Sequence, residues 1–356
     1  MELSHLNPNT DSNRPLSPTV SVVIPTLNEE RNLPHVFAKL PALITEVILV
    51  DGGSRDRTVE VARQLRPDVV VVQQTRTGKG NALACGFAAC TGDIIVMIDA
   101  DGSTDPAEIP LFVAKLTGGD QFVKGTRFNF GGHSHDITRL RKLGNDGLNL
   151  VVNVLFKTKF TDLCYGYNAF WRDVVPALDL PDVDLPRPAD GSKLWGDGFE
   201  IETMINIRAV AERLKVGEVG STEHERIHGQ SNLNTFRDGF RVLRTIFSEF
   251  GRARARRKAG IVPFAAKLTA SSTRRPAGPH VVAAAGPHPV DPRAHLNRGR
   301  RDEIGARRSE DVKKRRGTAL DDLGTRPTQD LRALRARALD GRQSPDVSQT
   351  RATLDD

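Results

Sequence analysis

Five short runs dense in branched apolar residues recur through the first 127 residues: VSVVIPT from Val20, EVILVDG from Glu46, DVVVVQQ from Asp68, DIIVMID from Asp93 and QFVKGTR from Gln121. The segments between them carry helical periodicity from about Glu29, Ser54, Lys79 and Pro106, with Ser54 reading as a helix N-cap and Asp105 as another. Strands that are apolar on both faces need cover on both faces. Alternating with helices, they predict an α/β fold with a doubly wound, mainly parallel sheet flanked by helices.

In open sheets of this kind ligands bind beyond the C-terminal ends of the strands, and that is where the chemistry-bearing residues of this chain fall. The fourth run ends in Asp99 and Asp101, one residue apart. Side chains at i and i+2 of extended chain point the same way, and two such carboxylates repel unless a cation lies between them. Oxygen-only ligands suit Mg²⁺ or Mn²⁺ better than zinc, with phosphate oxygens completing the shell. A metal-bound diphosphate is the expected ligand; the other reading is a pair of turn or helix-capping aspartates, since Gly102, Ser103 and Asp105-Pro106 also spell a turn into a helix. Asp51, before Gly52 and Gly53, reads either as an acceptor for a base or ribose or as a turn aspartate. Gly78-Lys79-Gly80 reads either as a cation set against phosphate near a helix N-terminus or as a surface lysine between flexible glycines. The first turn, PTLNEE, has no glycine, and no G-x-x-x-x-G-K-[ST] loop occurs, which argues against dinucleotide-binding Rossmann enzymes and P-loop NTPases.

After Arg127 the pattern changes to a Gly- and His-bearing loop, a helix from Thr138 to about Phe156, a strand-like TDLCYGYNAFW, and helices at about 198–214 and 233–250. Residues 1–17 read as a disordered leader and 18–250 as the folded domain, its halves meeting at 127/128. Residues 251–356 form an Arg/Ala/Pro-rich tail whose composition predicts disorder, with helical tendency near 328–340. Up to Phe250 there are 27 basic and 32 acidic residues, whereas the tail holds 24 and 12, so the basic character belongs to the tail. That charge suits peripheral contact with an anionic leaflet or a merely solvated extension. No nucleic-acid partner is expected, since Phe264 alone among aromatic residues accompanies it. The cysteines at 85, 90 and 164 fit neither a zinc knuckle nor a disulfide framework, and no apolar run approaches the roughly 18 residues of a membrane span. A cytoplasmic protein, at most peripheral to the membrane, is the expectation.

PTLNE at 25–29, VDGGSRDRT at 50–58, GKGNAL at 78–83, DADGS at 99–103 and GTR at 125–127, in this order, resemble the inverting GT-A glycosyltransferases of family 2, most closely the dolichyl- or polyprenyl-phosphate mannose synthase branch. The resemblance covers about residues 20–250. It implies a nucleoside-diphosphate sugar donor (a GDP- or UDP-hexose), a divalent metal, and a lipid-phosphate acceptor. By position, Pro25, Glu29, Asp51 and Lys79 would line the donor pocket, with Asp99 and Asp101 at ribose and metal and Arg127 toward the acceptor. Asp162, Gly166 and Glu200 match acceptor-proximal segments, and Arg226, His228, Gly229 and Ser231 a late basic loop near the phosphates. Asn232 stands where the branch often has lysine, and Ser103 where it has another polar residue.

A phosphate acceptor is already anionic and can attack unaided, whereas a hydroxyl acceptor on a small metabolite or glycan needs a carboxylate base. Asp197 and Glu200 are the candidates, Glu200 reading equally as a first-turn residue favoured by the helix dipole. Two further classes stay open: a nucleotidyltransferase, and a catalytically degenerate nucleotide-binding module. His133, His135, His224 and His228 lack helical metal-ligand spacing. The first two read as loop residues.

Overall fold

In the computed structural model, residues 14–135, 137–229 and 235–272 are described; the leader through residue 13, Ser231, Asn232 and the chain beyond 272 lie outside them. The apolar runs form β1 (Val20–Thr26), β2 (Glu46–Asp51), β3 (Val70–Gln73), β4 (Ile94–Met97) and β5 (Phe122–Thr126). Between them lie α1 (Leu33–Ala38), α2 (Thr58–Leu65), α3 (Lys79–Ala89) and α4 (Ile109–Thr117). The second half supplies β6 (His133–Ser134), α5 (Arg139–Phe156), β7 (Asn168–Trp171), α6 (Val175–Leu178), α7 (Ile201–Ala211), β8 (Val216–Gly220), β9 (Thr222–Glu223), α8 (Thr235–Lys258) and α9 (Phe264–Ser272).

One seven-stranded sheet has the order β3-β2-β1-β4-β7-β5-β8, parallel except at β7. β1 pairs in register with β2, Thr26 opposite Asp51, and with β4, Val23 opposite Met97, so their C-terminal ends open on one edge. β7 runs antiparallel between β4 and β5, with Val96 and Val123 both opposite Ala169. The two halves therefore share one sheet. Phe170 meets Phe122 face to face at 5.4 Å and Phe87 edge-on at 5.2 Å, filling the core over this junction.

Three details emerge only in the structure. Ser54 does not cap α2; its hydroxyl accepts the Asn28 amide at 2.9 Å and ties the first turn to the second. β8 joins the sheet edge although VGEVG carries little strand signal. α8 runs past residue 250, and packing continues beyond it. Arg256 pairs with Glu212 at 3.0 Å, and the Phe264 amide donates to Glu212 at 2.9 Å. Asp105 does cap, accepting the Ala107 amide at 3.2 Å. No helix among the described residues is long and apolar enough to cross a membrane.

Candidate active site

The turns after β1 and β4 and the N-termini of α3 and α7 place Glu29, Asp99, Asp101, Lys79 and Glu202 around one crevice, closed on one side by the segment after β9 that carries Arg226. Lys79 lies 2.5 Å from Asp99 and also donates to Glu202. Arg226 lies 2.7 Å from Asp101 and 3.5 Å from Glu29. Burial raises the Asp99 carboxyl above its ordinary range; Lys79 opposes this, while Asp101 and Glu202 reinforce it. Burial would lower Lys79, but Asp99 and Glu202 outweigh it and hold the ammonium above its usual value. Glu29 is raised by burial as well, against a hydrogen bond from Asn32 and the charge of Arg226.

Four carboxylates around two cations leave two formal negative charges uncompensated, the charge of one divalent ion. Among the described residues no group of three His, Cys, Asp or Glu side chains is arranged to hold a metal by itself. That donor set fits Mg²⁺ or Mn²⁺ with one or two carboxylates, the rest of the shell coming from water and ligand phosphates. It does not fit zinc. Lys79 engages Asp99 and Arg226 engages Asp101, whose carboxylate also accepts the Ser103 amide at 2.9 Å.

Residues 21–178 match the model of Glycosyl transferase family 2. That stretch resembles this family. Over 237 residues the chain is 30% identical to a dolichol-phosphate mannosyltransferase of Pyrococcus furiosus, covering 64% of this chain and 62% of that one. It is 28% identical over 236 residues to a low-salt glycan biosynthesis hexosyltransferase of Haloferax volcanii, covering 64% and 53%. The chain thus spans between about half and three-fifths of these curated relatives. Among solved structures it resembles glucosyl-3-phosphoglycerate synthase of Mycobacterium tuberculosis with Mn²⁺, UDP-glucose and phosphoglyceric acid, at a TM-score of 0.51 and 26% identity over 66% of this chain and 80% of that one. The likeness agrees with the expected GT-A-type fold.

Several sequence candidates take positions that their residue types did not disclose. Pro25 lies opposite Val50 near the crevice edge. Asp51 ends β2, where its carboxylate accepts the amides of Gly53 at 3.2 Å and Ser54 at 3.1 Å and the Gln73 side chain at 3.1 Å, the turn role. The Gly-Lys-Gly glycines serve backbone packing. A Cβ on Gly80 would sit 1.8 Å from the Gly196 carbonyl, and one on Gly78 would sit 2.1 Å from that of Asp197. The Asp197 carbonyl accepts the Gly80 and Asn81 amides at 2.8 and 3.2 Å. The donors expected to meet an anion at the α3 N-terminus are therefore already engaged.

Neither predicted base stands free. Asp197 forms a two-pronged ion pair with Arg76, 2.8 and 3.0 Å, both side chains 2% exposed. Glu200 folds back to accept the amides of Gly196 and Gly198 at 2.9 and 3.1 Å. The carboxylate that reaches the crevice is Glu202, one α7 position pair later, and Gly166 makes room for it: a Cβ there would lie 2.8 Å from Glu202 Oε1. Arg127 is committed to Asp162, at 2.7 and 2.9 Å, and to both oxygens of Glu223 at 2.9 Å. It fastens the segment leading to Arg226 rather than presenting a free cation. The His228 carbonyl accepts from Asn32 at 3.2 Å, while its ring lies 5.8 Å from that of His35. β6 and β9 gather His133, His135 and His224, with successive ring centroids 4.7 and 5.7 Å apart. Ser231 lies outside the described residues.

Proposed function

We propose that the domain transfers a hexosyl group from a GDP- or UDP-sugar to a polyprenyl phosphate with inversion at the anomeric carbon, assisted by Mg²⁺ or Mn²⁺ held through Asp101 and Asp99. The observation that carries this is the net double negative charge left by Glu29, Asp99, Asp101 and Glu202 around Lys79 and Arg226. A bound divalent cation would neutralise the diphosphate as negative charge builds on it. Arg226, 33% exposed at its side chain, is placed to leave Asp101 and meet the phosphates, and Lys79 to hold Asp99 and Glu202 in position. A single displacement forms the bond from acceptor oxygen to anomeric carbon as the bond to the diphosphate breaks. A phosphate acceptor needs no deprotonation for this step.

The likeness to a dolichol-phosphate mannosyltransferase supports the lipid-phosphate acceptor. A second reading, transfer to the hydroxyl of a small phosphorylated acid, draws support from the synthase bound to UDP-glucose and phosphoglyceric acid. It would assign Glu202 as the base. The test is label transfer from UDP- and GDP-hexoses with Mn²⁺, offering polyprenyl phosphate or phosphoglyceric acid. Label in the lipid phase, reduced at least about 10²-fold in Asp101→Asn, is expected. Label only on the water-soluble acceptor rejects the lipid reading, and full activity of Asp101→Asn rejects the metal site.

A further inference from the structure

α5 and α8 bury one face and expose apolar residues on the other. Val152 and Ile246, both 0% exposed, join in a small core with partly buried Leu148 and Val242, and Phe156 meets Phe250 edge-on at 5.7 Å. α5 and α8 thus pack against each other. On the outer side of α5, Leu140, Leu143, Leu150 and Val154 are 56–70% exposed and follow one stripe at spacings of three, seven and four. α8 adds Phe240 and Phe247, 71% and 54% exposed and two turns apart. Six large apolar side chains on two adjoining helices form the kind of exposed patch that marks an interaction surface.

We propose that this outer face of α5 and α8 docks on an anionic lipid leaflet, apart from any contact made by the basic tail. The charge around the patch selects that occupant. α8 holds eight basic residues against Asp238 and Glu249. Arg244, Arg254, Arg257 and Lys258 are exposed on it, as is Arg139 on α5, where Lys142 is paired with the exposed Asp146 at 2.8 Å. Basic residues flanking an apolar stripe are the composition of helices that lie in the headgroup plane, and each cation near an anionic surface raises partitioning about fivefold. In the chain α5 and α8 follow the segments that carry Arg127 and Arg226, so docking would hold those segments near the surface where a lipid-borne phosphate resides. In this respect the inference deepens the acceptor reading above.

The test is co-sedimentation of the full chain with vesicles of phosphatidylcholine and phosphatidylglycerol, at high salt to screen the tail and without donor or acceptor. The variant Leu143→Asn/Leu150→Asn/Phe247→Asn should lose more than about tenfold in partitioning, with its thermal midpoint unchanged. A control pair exposed elsewhere, Leu65→Asn/Leu111→Asn, should bind as wild type. Wild-type partitioning of the triple variant, or an equal loss in the control, overturns the proposal. So does a wild-type dimer that the triple variant dissociates while vesicle binding is unaltered, for then the face joins two copies. Because no substrate is present, an acceptor that proves water-soluble leaves this result untouched.

Discussion

Replacing Asp197 by Asn separates a structural clamp from a catalytic base. Asp197 and Arg76 are each 2% exposed, and the guanidinium also donates to the carbonyls of Asp182 at 2.8 Å and Leu185 at 2.9 Å. Removing one partner leaves a buried charge without its counter-ion, which costs about 3–5 kcal/mol. For a domain of this size each kcal/mol moves the thermal midpoint by roughly 2–4 °C, so a fall on the order of 6–20 °C is expected. Arg76→Met should fall comparably. The double variant should recover part of the loss, because no lone charge is then buried. Scanning calorimetry gives the midpoints, and donor-dependent turnover is measured well below them. A shift under about 2 °C in Asp197→Asn, together with abolished turnover, would refute the clamp and restore the base.

Glu202→Gln should cut turnover about 10²-fold or more with a hydroxyl acceptor and far less with a phosphate acceptor; Glu200→Gln should mainly lower stability, and kinetics against melting distinguishes the two. Gly80→Ala drives a methyl into the Gly196 carbonyl and should destabilise by about 3 kcal/mol or prevent folding, read from soluble yield and denaturant midpoint. Glu46 concerns pH. Although burial opposes it, hydrogen bonds from Ser21, Thr91 and Gly92 hold its carboxyl below the ordinary range. Its stabilisation is present above the unfolded value of 4.5 and is lost as pH falls through the folded one. Glu46→Gln should thus melt below wild type at pH 7, the two curves converging on acidification; a gap that widens in acid would contradict the sign.

The strands that frame the site were legible because branched apolar runs suit little else than a covered sheet. The Asp99/Asp101 pair was legible because two carboxylates at one strand end call for a cation. What escaped depends on pairing across distance. Nothing local to Asp197 announces Arg76, which lies 121 positions earlier, yet that partner decides its role. Glu200 is the N-cap residue of α7 and Glu202 lies in its first turn, and the burial of Ile201, Met204 and Ile205 fixes which of them meets Lys79. The Gly-Lys-Gly glycines gave a true signal of close approach, but the approaching group is the chain's own backbone. β8 was missed because an edge strand bearing glycines borrows its stability from β5.

The antiparallel β7 has a consequence for how this molecule is made. β4 and β5 are neighbours in the gene but not in the sheet, and the ribosome must add roughly 40 residues after β5 before the strand that joins them exists, a wait on the order of 2–8 s at 5–20 residues per second. During that interval the nascent chain holds two apolar strands, Ile94–Met97 and Phe122–Thr126, whose shared partner is missing. They are the segments on which a co-translational chaperone would act, and a transcript cut short before Asn168 would release a polypeptide with two open sheet edges.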